Sequence, residues 1–194
     1  WCGIDDPYDT LLMILNHLNN KNIVYIIDDM VQNLMNILEE PGELVVFMQQ
    51  NLQPKIIEKK MDGQVFTPPE LISDMHDVYS LCEENGLINE GIWSNPEATF
   101  LDLCSGLGQF SVQIYYRLMS GLRDWEPDYS KRKKHILDNM IYMVEKNTAD
   151  VDLCKVIFNY DINIWCGNYI DDFELEDVWP NVFQEGGFKH IHSN

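Results

Sequence analysis

Positive charge is what this sequence has least of. Among its 194 residues, 13 Lys and Arg stand against 32 Asp and Glu, a formal net charge of −19. A surface this acidic repels phosphate backbones and lacks the cationic footprint on which nucleic-acid affinity rests, so any grip on DNA has to come from elsewhere. Cysteine is sparse and unpatterned. Cys2, Cys82, Cys104, Cys154 and Cys166 are odd in number and contain no C-x-x-C pair, which argues against a disulfide framework or a cysteine zinc site and leaves reduced thiols. No apolar run approaches the roughly 20 residues that cross a bilayer. The opening Trp1-Cys2-Gly3-Ile4-Asp5 lacks the basic and apolar regions of a signal peptide, so the expected compartment is the cytoplasm and no membrane partner is expected. Internal repeats, low-complexity tracts and Gly/Ser linkers are missing too, and boundaries must be read from changes in hydrophobic period.

What is present is a globular composition, 45% hydrophobic, enough to bury the core of one ordinary domain or of a small helical domain beside part of a larger one. Residues 1–60 read as a helical N-terminal subdomain. Asp9 or Thr10 can cap a helix with an apolar face of Leu11, Leu12, Ile14, Leu15 and Leu18; a second helix runs from about Ile23 to Glu40; Pro41-Gly42 breaks the chain before a third helix carrying Leu44, Val45, Phe47, Met48 and Leu52. From residue 61 the character changes. Pro68-Pro69 suits the first turn of a helix with apolar positions Leu71, Ile72, Met75, Val78, Tyr79 and Cys82, ended by Gly86. Strand and helix patterns then alternate. Thr99 to Leu103 is a strand before a glycine-containing loop and a helix to about Leu122; Met140 to Glu145 is a strand followed by a helix over 149–159; Ile162 to Cys166 is a third strand, and Phe188 to His192 starts a fourth. Such alternation predicts an α/β fold with a parallel sheet. The basic run Lys131-Arg132-Lys133-Lys134 lies in a polar insertion and reads as a solvated helix start ahead of a phosphate grip.

The loop Cys104-Ser105-Gly106-Leu107-Gly108 after Asp102 is the strongest local feature. Ligands of open parallel sheets bind beyond the carboxyl ends of the strands, where glycine admits the backbone and a helix start offers N–H groups, so a nucleoside cofactor is the natural occupant. A dinucleotide site requires a third glycine where this chain has Ser111, and an acidic residue about twenty positions on, whereas Glu145 lies much farther along.

Four features in order narrow this further: Gly63-Gln64-Val65-Phe66-Thr67-Pro68-Pro69-Glu70-Leu71-Ile72-Ser73-Asp74-Met75, the glycine loop, Ile141 to Asn147, and Cys166-Gly167-Asn168-Tyr169-Ile170. Together they resemble the adenine-specific DNA methyltransferases that use S-adenosylmethionine, in the branch of type I modification subunits and type IIG restriction-modification enzymes. The resemblance covers Gly63 to the last residue. It implies an incomplete, parallel Rossmann-like methyltransferase sheet over 61–194. By the same resemblance, Val65, Phe66 and Thr67 lie along the methionine part of the cofactor, Asp102 receives its ammonium group, and Cys104, Ser105, Gly106 and Gly108 pass beneath it with Phe110 beside them. Glu145, next to Lys146, accepts the ribose hydroxyls, and Asn168 and Tyr169 meet the adenine.

The family's catalytic motif, Asp or Asn, Pro, Pro, then Tyr or Phe, begins at Asn194, where the chain as given stops, so this portion is expected to bind the cofactor without transferring methyl groups. DNA would be engaged through the parent protein or a separate recognition subunit, and the unpaired sheet edge offers a route to self-association. Methyltransferases acting on protein glutamine or RNA share the motif and stay open as alternatives, as do a non-catalytic interaction module with a vestigial nucleotide fold and a nicotinamide enzyme. No metal is expected: His190-x-His192 has no third ligand nearby, and the acidic run Asp171 to Asp177 lacks the spacing of a calcium loop. Cys104 has no neighbouring histidine in sequence and is not expected to be a nucleophile.

Overall fold

The computed structural model describes residues 40–51, 67–86, 91–168 and 175–192. The two expected N-terminal helices therefore lie outside the described residues. The first helix described, α1 (Pro41–Asn51), starts at the proline that sequence reading takes for a break. Proline fits there because the first helical residue needs no N–H acceptor and its fixed φ is already helical. The N–H of Gly42 finds an acceptor in the Tyr116 hydroxyl at 2.9 Å, and a Cβ at this position would meet the Tyr116 ring at 2.8 Å. This glycine lets α1 seat on the helix that carries Tyr116, within a compact unit running from Pro41 to Asn194.

Helix α2 (Pro69–Glu84) precedes β1 (Phe100–Asp102), and α3 (Gln109–Gly121) and α4 (Tyr129–Asn139) lead to β2 (Ile141–Glu145). Helix α5 (Thr148–Phe158) crosses to β3 (Asn163–Cys166); the short α6 (Leu175–Val178) and α7 (Pro180–Gln184) return the chain to β4 (His190–His192). All pairings are parallel and the sheet order is β3-β2-β1-β4, an incomplete Rossmann-like arrangement. Strand order changes direction beside β1, and in such sheets that switch point is where ligands bind. No helix among the described residues is long and apolar enough to cross a membrane.

Alternation along the strands divides the core. Leu101, Tyr142 and Val144 share one face, where they cluster with Val182 and with the partly buried Leu103, Trp165, Leu175, Trp179 and Phe188. Phe100, Ile141 and Met143 occupy the opposite face with α3, α4 and α5. Local chemistry sets the helix ends. Asp128 caps α4 by accepting the Lys131 N–H at 2.9 Å, and Asn147 caps α5 by accepting that of Ala149 at 3.0 Å; Asn159 ends α5 in the left-handed region, at φ 44°.

The basic run sits inside α4 and is used partly within the fold: Arg132 is buried and donates to the Glu126 carbonyl, and Lys134 pairs with Asp138 at 2.6 Å. Helix α2 buries Ile72 and His76 and half-buries Tyr79 and Cys82, so of the expected apolar positions Ile72, Tyr79 and Cys82 turn inward, while Leu71, Met75 and Val78, with Leu81, are 43–55% exposed. Its orientation is fixed by Arg117 of α3, which donates to the Ser73 carbonyl and hydroxyl at 3.1 Å and to Asp77 at 2.6 Å, and lies over the Trp93 ring. Trp93 in turn stacks on Phe100 of β1, with ring centroids 5.5 Å apart.

The far end of α3 rests on the same Trp93 segment. A Cβ added at Gly121 would stand 2.2 Å from the Trp93 carbonyl oxygen, a backbone atom that cannot swing aside. Gly121→Ala is expected to destabilise the fold by about 1–3 kcal/mol, the usual range for overpacking. A urea denaturation midpoint equal to that of the parent would refute this contact.

Candidate functional site

The carboxyl ends of β1, β2 and β3 are joined through one residue. Glu145 closes β2, and its Oε2 accepts the Gly106 N–H at 2.8 Å while Oε1 accepts the Asn147 N–H at 2.8 Å. Its backbone carbonyl accepts the Gly167 N–H at 3.0 Å, which fixes the turn after β3. The carbonyl of Gly106 is held from the other side by the buried Cys154 thiol of α5, with Sγ 3.2 Å away. Gly106 is thus held at both its N–H and its carbonyl. Burial pushes the Cys154 thiol well up, and the nearby carboxylates of Asp102, Glu145 and Asp150 push the same way, so it stays a neutral donor.

Asp102 ends β1 and is 2% exposed. Its Oδ2 accepts the Ser111 hydroxyl at 3.1 Å, and the backbone N–H groups of Cys104 and Ser111 also donate to the carboxylate. Ser111 is the third residue of α3, whose N-cap is Gly108, in the left-handed region at φ 74° and without a capping side chain. Asp102 therefore does from the neighbouring strand what an N-cap side chain does within a helix, and its negative charge suits the helix N-terminus. Gly108 is also close-packed: a Cβ there would meet Met143 Cε at 3.0 Å.

Despite its donors, the Asp102 carboxyl is raised from an ordinary 3.8 to about 7. Burial is the main cause; the Ser111 hydroxyl and the two backbone N–H groups oppose it, and Glu145 adds repulsion. The site is one where negative charge is held at a cost and where a cation would be welcome.

The amides of the loop are engaged inside the protein. Cys104 and Ser111 donate to Asp102, Ser105 to the Val144 carbonyl at 3.0 Å, Gly106 to Glu145, and Gly108 to the Ser105 carbonyl at 2.7 Å. A pyrophosphate cradle requires such amides to point at the ligand, and these five are turned to acceptors within the protein. Two adjacent carboxylates would in any case repel it.

Of the residues marked by sequence, Asp102, Ser105, Gly106, Gly108, Phe110 and Glu145 come together around this loop, and Thr67 at the head of α2 is buried. Cys104, Lys146 and Asn168 are exposed at the strand ends. Val65, Phe66, Tyr169 and Asn194 lie outside the described residues. Sequence reading missed two: Ser111, noted only as an absent glycine, and Gln109, the first residue of α3, which is 7% exposed with no hydrogen-bond partner for Nε2 among the described residues. A buried donor of this kind is what a ligand or an ordered water satisfies. Among the described residues no three His, Cys, Asp or Glu side chains gather as a metal site, and the His190 ring packs on Phe100 and Tyr79.

No protein family model matches the chain. A relative from Mycoplasma pneumoniae, named an uncharacterized adenine-specific methylase, is 36% identical over 90 residues, covering 46% of this chain. The matched stretch spans 20% of that protein's length.

The raised Asp102 carboxyl has a consequence for stability. Between pH 4 and 7 the folded chain holds a proton that the unfolded chain releases, so this contribution is fully present below 3.8 and is lost as pH rises through about 7. A rise of this size corresponds to on the order of 4 kcal/mol. Asp102→Asn is expected to raise the unfolding free energy at pH 8 and to flatten its decline between pH 5 and 8. Parallel stability profiles for the two proteins would refute the buried, protonatable carboxyl.

Proposed function

We propose that this chain is the cofactor-binding portion of an S-adenosylmethionine-dependent methyltransferase that acts on the N6 amine of adenine in DNA, within a restriction-modification system. The observation that carries the reading is the chemistry of the strand ends: neighbouring carboxylates at Asp102 and Glu145, with the loop amides already engaged. That set suits a ligand bringing a cation and a diol, and disfavours one bringing a pyrophosphate. The name of the Mycoplasma relative supports the same class of chemistry.

Asp102 receives the methionine ammonium in a charge-assisted bond. Glu145 accepts the ribose hydroxyls; its two oxygens offer about four lone-pair sites, so the Gly106 and Asn147 amides need not be released. Thr67, with Val65 and Phe66, lines the methionine side; Ser105, Gly106, Gly108 and Phe110 form the floor, with Cys104 and Lys146 at its rim; Asn168 and Tyr169 face the adenine. S-adenosylmethionine supplies an electrophilic methyl group on its sulfonium. The protein's part is position: Asn194 accepts a hydrogen bond from the amine of a flipped-out target adenine and holds it in line. DNA is gripped by basic surfaces of the parent protein or of a separate recognition subunit, consistent with the net charge of −19. The outer edge of β4, where Ile191 is 56% exposed, is the place for self-association.

Calorimetric titration with S-adenosylmethionine and S-adenosylhomocysteine, with NAD as control, tests the reading. One-site binding of both adenosyl compounds is expected, lost in Asp102→Ala and weakened in Glu145→Gln by about 1.5–3 kcal/mol, the range for a hydrogen bond to a charged group. Affinity should fall about tenfold per pH unit below pH 7, because protonated Asp102 offers the ammonium no charge. NAD binding as tight as S-adenosylmethionine, or an unchanged affinity in Asp102→Ala, would overturn the assignment.

A further inference from the structure

We propose that Ser111 is the positioning residue of this site: its buried hydroxyl, aimed at the strand-end acid, keeps Asp102 as the carboxylate that a cofactor ammonium requires. The inference deepens the reading above and rests on it for the identity of the ligand. Ser111 is fully buried, at 0% exposure, and its hydroxyl reaches Asp102 Oδ2 at 3.1 Å. It stands where a dinucleotide fold needs a third glycine for close packing of helix on strand. A side chain there closes that use of the loop and replaces it with a donor aimed at the strand-end acid. The same residue contributes its backbone N–H to the carboxylate, so one turn of α3 grips Asp102 at two points.

The charged and titratable surroundings sharpen the argument. Glu145, from β2, repels a negative Asp102; Cys154, from α5, is held neutral; His76, from α2, packs its ring on Phe110, the residue before Ser111. Among the described residues, no Lys or Arg is one of the groups acting on Asp102. The stabilisation of the anion in the free protein falls to hydrogen bonds, and the Ser111 hydroxyl is the largest of them.

Ser111→Ala removes the hydroxyl, keeps the backbone donor and adds no volume. The Asp102 carboxyl titration is followed by carbon-13 NMR in the free protein, with Asp102→Asn used to assign the signal. A midpoint near 7 is expected for the parent, and one about a pH unit higher for Ser111→Ala. Titration with S-adenosylmethionine should then show Ser111→Ala binding about fivefold more weakly at pH 7 and nearly as well as the parent at pH 9, because the carboxylate is ionised in both proteins there.

A residue of purely structural importance would lower affinity equally at both pH values. Equal NMR midpoints in a folded Ser111→Ala, or a loss of affinity independent of pH, overturns the role of Ser111. Failure of the parent itself to bind any adenosyl compound would instead overturn the assignment of the cofactor, while the NMR midpoints still decide whether Ser111 controls Asp102.

Discussion

A carboxylate cannot be taken out of water without donors, and the placing of donors around Asp102 organises the rest of the site. Desolvation alone would cost an unpaired ion several kcal/mol. The donors come from Cys104, which starts the turn after β1, and from Ser111, in the first turn of α3. Strand, turn and helix are therefore locked to one another by a single side chain. Gly108 makes this geometrically possible, since a turn this short demands a left-handed residue and leaves no room over Met143.

A second carboxylate close by makes the arrangement expensive for the free protein. Glu145 ties the three strand ends together through its own hydrogen bonds and at the same time repels Asp102. The repulsion and the burial together raise the Asp102 carboxyl to about 7. The backbone amides of Cys104, Gly106 and Ser111 are turned inward to support the acids.

Much of this was legible in the sequence. The runs at Phe100-Leu101-Asp102 and Ile141 to Glu145 are short, apolar and followed by a glycine turn or an Asn cap, and those signals are local. Where reading failed, the missing information was tertiary. Pro41 breaks a chain or opens a helix with equal ease, and only the Tyr116 hydroxyl waiting for the Gly42 N–H decides it. Helix α2 has apolar residues on more than one face, and which of the expected positions turn inward, Ile72, Tyr79 and Cys82 ahead of Leu71, Met75 and Val78, is settled by Arg117, far away in sequence. The acids at 102 and 145 stood out as strand-end carboxylates. Ser111 did not, because a serine three residues into a helix means little until the strand-end acid nine positions earlier is brought against it. Its one available signal was that it follows a glycine N-cap, which leaves the helix start without a capping side chain.

The pairing of β4 with β1 carries a consequence for the order in which the fold assembles. The hydrogen bond from the Lys189 N–H to the Thr99 hydroxyl closes a separation of 90 residues. The β1–β2 and β2–β3 pairings join residues much nearer in sequence, Phe100 with Ile141 and Tyr142 with Asn163. In equilibrium terms the longer closure costs little, about 0.6 kcal/mol per doubling of loop length. In kinetic terms it delays contact, since distant pairings wait on the search that brings them together. The three strands that carry Asp102, Glu145 and Cys166 are therefore expected to pair before β4 joins them. Pulsed hydrogen exchange would report this as protection at Tyr142 ahead of His190, whose N–H donates to the Thr99 carbonyl, and simultaneous protection would refute the sequence of events.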